Sequence, residues 1–461
     1  MCLQTTTGQE TSRTMRSCIL TPEKVGLFDF WKVARGDESL LAKFLQSTEA
    51  DSEGKRERWW KILLSVLMMK LLSLLKKPME CTGTVVEFVL NLLSLNGGLI
   101  ELFISILLRR VVIPEKGTES FISTIGHLDF RVDVRGRQQL ADLCVIASKV
   151  AYESAMVVKS VVRRGWNMNF VGFYDCWNDY QKQFSTQVFV VTDKPKDADL
   201  ILIAFRGTEP FDTDDWTTDF DYSWYEVPGV GKIHVGFLEA LGLGSREKME
   251  TFMKDVPPEM AENSAYYTVA RTVKKLLREH GKAKFVVTGH SMGGALAILF
   301  HVVLVLHEEG DMVRRWMGTY TFGQPRIGNE QLGRFMEPHL LGRFFRVVYA
   351  NDLVARLPYD DKNFMYKHFG TCLYYTTSFT LHEVEEAPDK NFFGLRYALS
   401  MHVNAIWEVL RSLTMGHVYG PQYKESWFCF VFRLVGVFLP GISAHGMTNY
   451  INSVRLGKQN H

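Results

Sequence analysis

Apolar residues change their rhythm twice along this chain. Up to about residue 58 the sequence is mixed and polar, closing on a charged run from Asp51 to Arg58. Trp59 to Leu75 then reads WWKILLSVLMMKLLSLL, Pro78 interrupts, and Val85 to Ile113 is strongly apolar again before Pro114. Two apolar helices joined at Pro78 are expected, because proline lacks an amide donor and its ring collides with the preceding helical turn. In the second segment Glu87, Asn91, Ser94, Gly98, Glu101, Ser105 and Arg109 recur at helical spacing and form one narrow polar stripe. Basic residues flank both segments: Lys55, Arg56 and Arg58 before, Lys76 and Lys77 at the bend, Arg109 and Arg110 after. A pair spanning a bilayer would place Lys70, Glu87 and Glu101 in hydrocarbon, which is expensive. A helical hairpin embedded in one leaflet avoids that cost, with the stripe and the basic ends at the headgroups. Residues 59–125 are therefore expected to hold the chain on a lipid surface, behind a polar region over 1–58. Helices packed as core, or meeting in an oligomer, are the competing readings.

From residue 126 onward short β-rich runs alternate with helical patterns. Gln187 to Val191, Leu200 to Phe205 (LILIAF), Phe285 to Thr288 (FVVT), Gly318 to Phe322 and Phe344 to Ala350 read as strands. Gln138 to Val162, Ala265 to His280 and Ala295 to His307 read as helices. That alternation predicts one α/β domain over 126–461 with a mainly parallel sheet.

Composition narrows the class. Hydrophobic residues at 46% and charged residues at 23% suit a chain that buries a large core. A formal charge of +2 gives no reason to expect nucleic acid. The polar first fifteen residues lack an apolar signal-peptide core, so the protein is expected not to be secreted. Seven cysteines without paired spacing speak against a disulfide framework or a zinc site. A reduced, cytosol-facing protein follows.

The chemistry is concentrated in Gly289-His290-Ser291-Met292-Gly293-Gly294, set between the strand FVVT and the helix ALAILF. GxSxG alone is weak evidence; the strand–turn–helix context makes it a nucleophile elbow with Ser291 exposed at the sheet end. A serine hydroxyl needs a base and an orienting carboxylate. Asp352, just past the β-run ending at Ala350, is the expected acid, whereas Asp360 and Asp361 look solvated. His368, His382, His402, His417 and His445 are candidate bases. His445 is preferred because LPGISAHGMTNY forms a small-residue loop near the C-terminus. LILIAF runs into Arg206-Gly207-Thr208, so the amides of Thr208 and Met292 are expected to make the oxyanion hole.

These motifs are ordered AFRGTEP, DWTTDF, KIHVGF, VVTGHSMGG, TFGQPRIGN and RVVYANDLVARLP, ending in the histidine loop. Over roughly residues 135–455 the chain resembles the class 3 lipase family, which includes the small fungal triacylglycerol lipases. The resemblance implies an α/β-hydrolase fold and matches Ser291, Asp352 and His445 to the triad. It also matches Thr208 to an oxyanion residue, Asp219 to the carboxylate that fixes its hydroxyl, and Trp216 to the lid. The N-terminal extension and the ending LPGISAHGMTNYINSVRLG resemble the plant oil-body lipases of that family. That likeness implies hydrolysis of triacylglycerol and other acylglycerols on the surface of a lipid droplet or its parent membrane, with no metal or cofactor. The same triad would also serve a phospholipase A1 or galactolipase, and a degenerate hydrolase could persist as a droplet scaffold. One departure is the long stretch before His445, with a helical segment over Phe393 to Met415 and an apolar run from Trp427 to Leu439 that are expected to form a second cap over the site.

Overall fold

A computed structural model describes residues 16–35, 37–47, 53–126, 137–244, 246, 258–358, 360, 366–389, 395–420, 423, 425, 427–438 and 440–459. The central element is a nine-stranded sheet. Its strands lie side by side in chain order: β1 Asn169–Asn178, β2 Gln183–Thr192, β3 Leu200–Phe205, β4 Lys284–His290, β5 Trp316–Phe322, β6 Phe344–Tyr349, β7 Thr371–Tyr375, β8 Thr380–Val384 and β9 Lys458–Gln459. β3 through β7 pair in parallel, and the β1–β2 hairpin runs antiparallel at one edge. Strand β3 shows why the sheet is buried on both faces. Ile201, Ile203 and Phe205 join one core, Leu202 and Ala204 the other, and none is exposed. Continuous apolar strands of this kind belong to parallel sheets covered on both sides.

Helices supply the two covers. α5 (Ala265–Glu279) and α6 (Met292–Leu306) pack on one face; α3 (Arg137–Val150) and α9 (Met447–Leu456) pack on the other. The helix expected over Gln138 to Val162 stops at Val150 instead. Ser154 caps a new short helix at Ala155 by accepting the Val157 amide, so the chain turns there. The α/β-hydrolase fold is thus built from the expected strands and helices.

In the N-terminal region Arg16–Leu20 pairs with Trp224–Val227 in a second, six-stranded sheet. The chain does not bend at Pro78. α1 runs unbroken from Glu53 to Leu95, 43 residues through the proline. Losing one helical hydrogen bond and accommodating the ring costs about 3 kcal/mol. Contacts on both sides of Pro78 offset it, all made to the helix α4 (Thr213–Phe220) and its approach. Ser65 Oγ donates to the Phe220 carbonyl at 2.6 Å, Lys76 pairs with Asp214 at 2.6 Å, and Gly83 leaves no room for a Cβ beside Phe211.

The bend falls at Asn96-Gly97-Gly98. Both glycines have positive φ (77° and 102°), and the Gly98 amide donates to the Leu93 carbonyl at 2.8 Å, the left-handed ending that glycine adopts at no steric cost. α2 (Leu99–Leu107) then departs at 78° to α1. Among the described residues no single helix is long and apolar enough to cross a membrane.

The polar stripe is consequently split between two helices, and part of it faces the protein. Asn91 is fully buried: its side chain donates to the Ile122 carbonyl at 2.7 Å and accepts the Ile122 amide at 2.8 Å. Asn96 holds both backbone groups of Val112 in the same way, at 2.8 and 2.9 Å. These two amides tie the returning chain to α1. The apolar residues face out instead, with Leu99, Ile100, Phe103 and Leu107 all exposed.

Asn91→Ala should leave the Ile122 amide and carbonyl buried without partners, a loss of about 1–3 kcal/mol for such groups. Chemical denaturation should show that loss, and limited proteolysis should cut faster between 108 and 125. Unchanged stability would mean that the tie carries no weight.

Candidate active site

β4 ends at His290 and α6 begins at Met292, leaving Ser291 alone in the turn with φ 57° and ψ −134°. A non-glycine residue there is strained by about 1–3 kcal/mol. Close approach of the backbone dictates the neighbouring glycines. A Cβ on Gly289 would lie 2.2 Å from the Gly293 carbonyl, and one on Gly293 would lie 2.4 Å from the Phe205 carbonyl oxygen. The Ser291 amide donates to the Phe322 carbonyl at 2.9 Å, which pins the turn to β5.

Asp352 and His445 meet beside this turn although 93 residues separate them. Asp352 follows β6. Its Oδ1 accepts the Val354 amide at 2.8 Å, and Oδ2 accepts His445 Nδ1 at 2.8 Å together with the Tyr450 hydroxyl. Arg356 clamps the same loop by donating to the Asp352 and Ala350 carbonyls. His445 lies in a short turn, Ser443–His445, that leads into α9. With Nδ1 engaged, Nε2 is left with no hydrogen-bond partner among the described residues, and so is Ser291 Oγ. The serine–histidine bond is therefore not closed here; such bonds often tighten only around substrate.

The other candidate histidines lie elsewhere. His368 is half-buried, with Nε2 2.8 Å from the Ala355 carbonyl, His382 is on β8, and His402 and His417 sit on the exposed side of the helix Leu395–Tyr419. Asp360, expected to be solvated, is buried within electrostatic reach of Arg326. Asp361 lies outside the described residues.

Thr208 follows β3, and its hydroxyl donates to Asp219 Oδ2 at 3.0 Å. Asp219 is fully buried on α4, and burial pushes its carboxyl up to about 8 against the bond from Thr208. The Met292 amide is the first of α6, where an N–H has no partner within the helix. Trp216, half-buried on the same α4, lines a cavity of ≈ 440 Å³ together with Thr208, His290, His445, Leu93 and Phe432. Ser291 is fully buried, its Oγ shielded from solvent.

Three residues beside Ser291, Asp352 and His445 had no individual role in the sequence reading. His290 stacks on His445 with ring centroids 4.4 Å apart. Its Nε2 lies 2.9 Å from the His445 carbonyl, which can only accept, so Nε2 carries the proton and Nδ1 accepts from Tyr152 at 2.8 Å. Burial, with the neighbouring His445 next, holds His290 well below the usual imidazole range and neutral. Tyr450 is the second donor to Asp352 Oδ2, beside His445. Gly323, at φ 61°, would place a Cβ 2.7 Å from Asp352 Oδ2 and 2.8 Å from His445 Cε1. Only the last had a legible signal, the glycine of TFGQPRIGN.

Residues 202–362 match the family model described as lipase (class 3). Triacylglycerol lipase OBL1 of Arabidopsis thaliana is 50% identical over 98% of this chain and 97% of its own length. The proteins of the same name from Nicotiana tabacum and Ricinus communis are 48% and 40% identical, over 87% and 96% of this chain and 83% and 95% of their own.

Gly323→Ala should abolish ester hydrolysis, because the added methyl must displace Asp352 or His445 from a backbone conformation that alanine already resists. Retained turnover would show that the acid–base pair is not held there. A pH series on Asp219→Asn tests the buried carboxyl. With an ordinary value of 3.8 in the unfolded chain and about 8 in the fold, the folded state holds the extra proton between them. Wild-type stability is therefore fully present below the lower value and lost as pH rises through the window. The asparagine variant should gain Tm relative to wild type from about pH 4 to about pH 8, whereas a constant difference would contradict the assignment.

Proposed function

This chain belongs to the class 3 lipase family and is a carboxylic ester hydrolase; on that premise we propose that it hydrolyses triacylglycerol, and its di- and monoacylglycerol products, at the lipid-droplet surface. The observation that carries the reading is the strained Ser291, set behind the wall of an apolar cavity that His445 and Thr208 also line. Relatives named triacylglycerol lipase along nearly the whole chain support the substrate class. The exposed apolar faces of α1 and α2 support the location.

The reaction runs through Ser291, His445 and Asp352. As Ser291 Oγ attacks the ester carbonyl carbon, its proton passes to His445 Nε2. The imidazolium that forms is stabilised by Asp352, which already accepts Nδ1. Negative charge collects on the former carbonyl oxygen, where the Thr208 and Met292 amides donate to it. The α6 N-terminus adds a favourable dipole. Collapse of the tetrahedral species expels the alcohol, which takes the proton from His445. Water then attacks the acyl-serine with the same base, releasing the fatty acid and restoring Ser291. α4 carries Trp216 on the cavity wall and Asp219 behind Thr208. No step calls for a metal or cofactor.

Purified wild type and Ser291→Ala, assayed on emulsified triolein, phosphatidylcholine vesicles and a soluble short-chain ester, test the proposal. Wild type should prefer triolein, and the variant should lose on the order of 10,000-fold on every substrate while keeping its Tm. Preference for phosphatidylcholine would replace the substrate, and substantial turnover by the variant would remove Ser291 as nucleophile.

A further inference from the structure

The last long helical pair, α7 (Leu395–Tyr419) and α8 (Trp427–Phe438), is built inside out. A helix on a protein in water buries its apolar stripe and exposes its charges. On α7 the exposed side carries Leu399, Val403, Ile406, Trp407, Leu410 and Leu413, a continuous stripe at helical spacing. Within residues 399–419 and 429–438 the only Asp, Glu, Lys or Arg residues are Glu408, Arg411 and Arg433, and all three are buried. Arg433 bonds to Glu408 at 2.9 Å, to Glu425, and to Asn449 at 2.8 Å. On α8 the outward side is again apolar, with Phe438 83% exposed.

This pair is also fixed to the candidate site. Asn449, held by Arg433, donates to the Ser443 carbonyl at 2.9 Å, in the turn that carries His445. Gly436 lies against Ser443, where a Cβ would come within 2.2 Å of its hydroxyl. Phe432 and Arg433 form one wall of the cavity, and Leu93, Gly97 and Gly98 at the α1–α2 bend form another. Beyond both walls the surface continues as largely apolar helix, α8 on one side and α2, whose single charged residue is Glu101, on the other.

We propose that α7 and α8 are a second lipid-embedding element, which sinks into the same monolayer as α2 and holds the cavity between them open to the acyl-chain layer. The inference deepens the lipase reading and rests on it. Neither helix is long and apolar enough, over its described residues, to cross a bilayer; along the interface their apolar sides would sit among acyl chains. A lipid surface fits better than a second copy of the chain. The apolar faces of α8 and α2 extend from the two walls of one cavity, and a protein docked across them would close it to substrate.

The test uses the full-length protein carrying Val403→Asp with Leu410→Asp, and separately Leu399→Glu at a position 78% exposed. Each is scored by flotation with phosphatidylcholine-coated triolein droplets, by hydrolysis of those droplets, by turnover of a soluble short-chain ester, and by Tm. Droplet binding and droplet hydrolysis should fall about ten-fold or more, as expected when apolar contacts worth a kcal/mol or two are replaced by charge. Soluble-ester turnover and Tm should stay near wild type. Unchanged droplet binding overturns the proposal, and with Ser291-dependent triolein hydrolysis intact it leaves the lipase reading standing. Unfolding of both variants, or dissociation of a lipid-free dimer without loss of droplet binding, also overturns it, because the face would then be covered by protein. Wild type that floats with droplets but does not hydrolyse triolein would sink the lipase reading and leave the lipid-embedding element supported.

Discussion

The backbone of Ser291 is the constraint on which the site depends. At φ 57° it turns the chain from a central strand into a helix within one residue, and the neighbouring elements must hold it there. On one side β4 is locked between β3 and β5; on the other, α6 is buried along nearly its whole length. Gly207, Gly289 and Gly293 let three stretches of backbone come closer than any side chain allows. The strain is therefore set against a large part of the core rather than a local contact. The loops of Asp352 and His445 come to the same end of the parallel strands, because Asp352 leaves the end of β6 and His445 precedes the helix packed beneath β6.

Around that rigid centre the structure places its less conventional parts. α1 lies along α4 and contacts it on both sides of Pro78, so the helix bearing Trp216 and Asp219 is clasped by the N-terminal apolar helix. Carboxylates under that clasp are buried; burial, with Asp212 beside it, pushes Asp215 up to about 7 although Arg206 lies within 3.7 Å. At the other wall, the Arg433 cluster holds the apolar pair α7–α8 onto the loop of His445. The elements that meet lipid in this account are thus bonded directly to the elements that meet substrate.

Much of the α/β core was legible because it obeys local rules. Short β-branched runs became strands at almost the expected bounds, and the elbow followed from glycine spacing between a strand and a helix. The N-terminal segment was less legible because tertiary contacts decide it. Pro78 signals a break in any isolated helix, yet contacts to α4 carry α1 through it, and the true bend rests on Gly97 and Gly98. Asn91 carried the periodicity of a solvent-facing stripe, but its hydrogen-bond partner, Ile122, is 31 residues away and invisible to any local pattern. The same holds for Tyr450 and His290, whose partners come from distant loops. The helix of α7 and the apolar run of α8 were visible, but the inward direction of Glu408 and Arg433 was not.

The central claim is that Ser291 is the nucleophile and His445 its base. Mass-spectrometric mapping after exposure to a lipophilic alkyl phosphonate ester tests it most directly, since phosphonylation requires the activated hydroxyl and not the rest of turnover. The account predicts a single covalent adduct on the peptide containing Ser291, lost or greatly slowed in His445→Ala. An adduct on another residue, or undiminished labelling of Ser291 without His445, would contradict it.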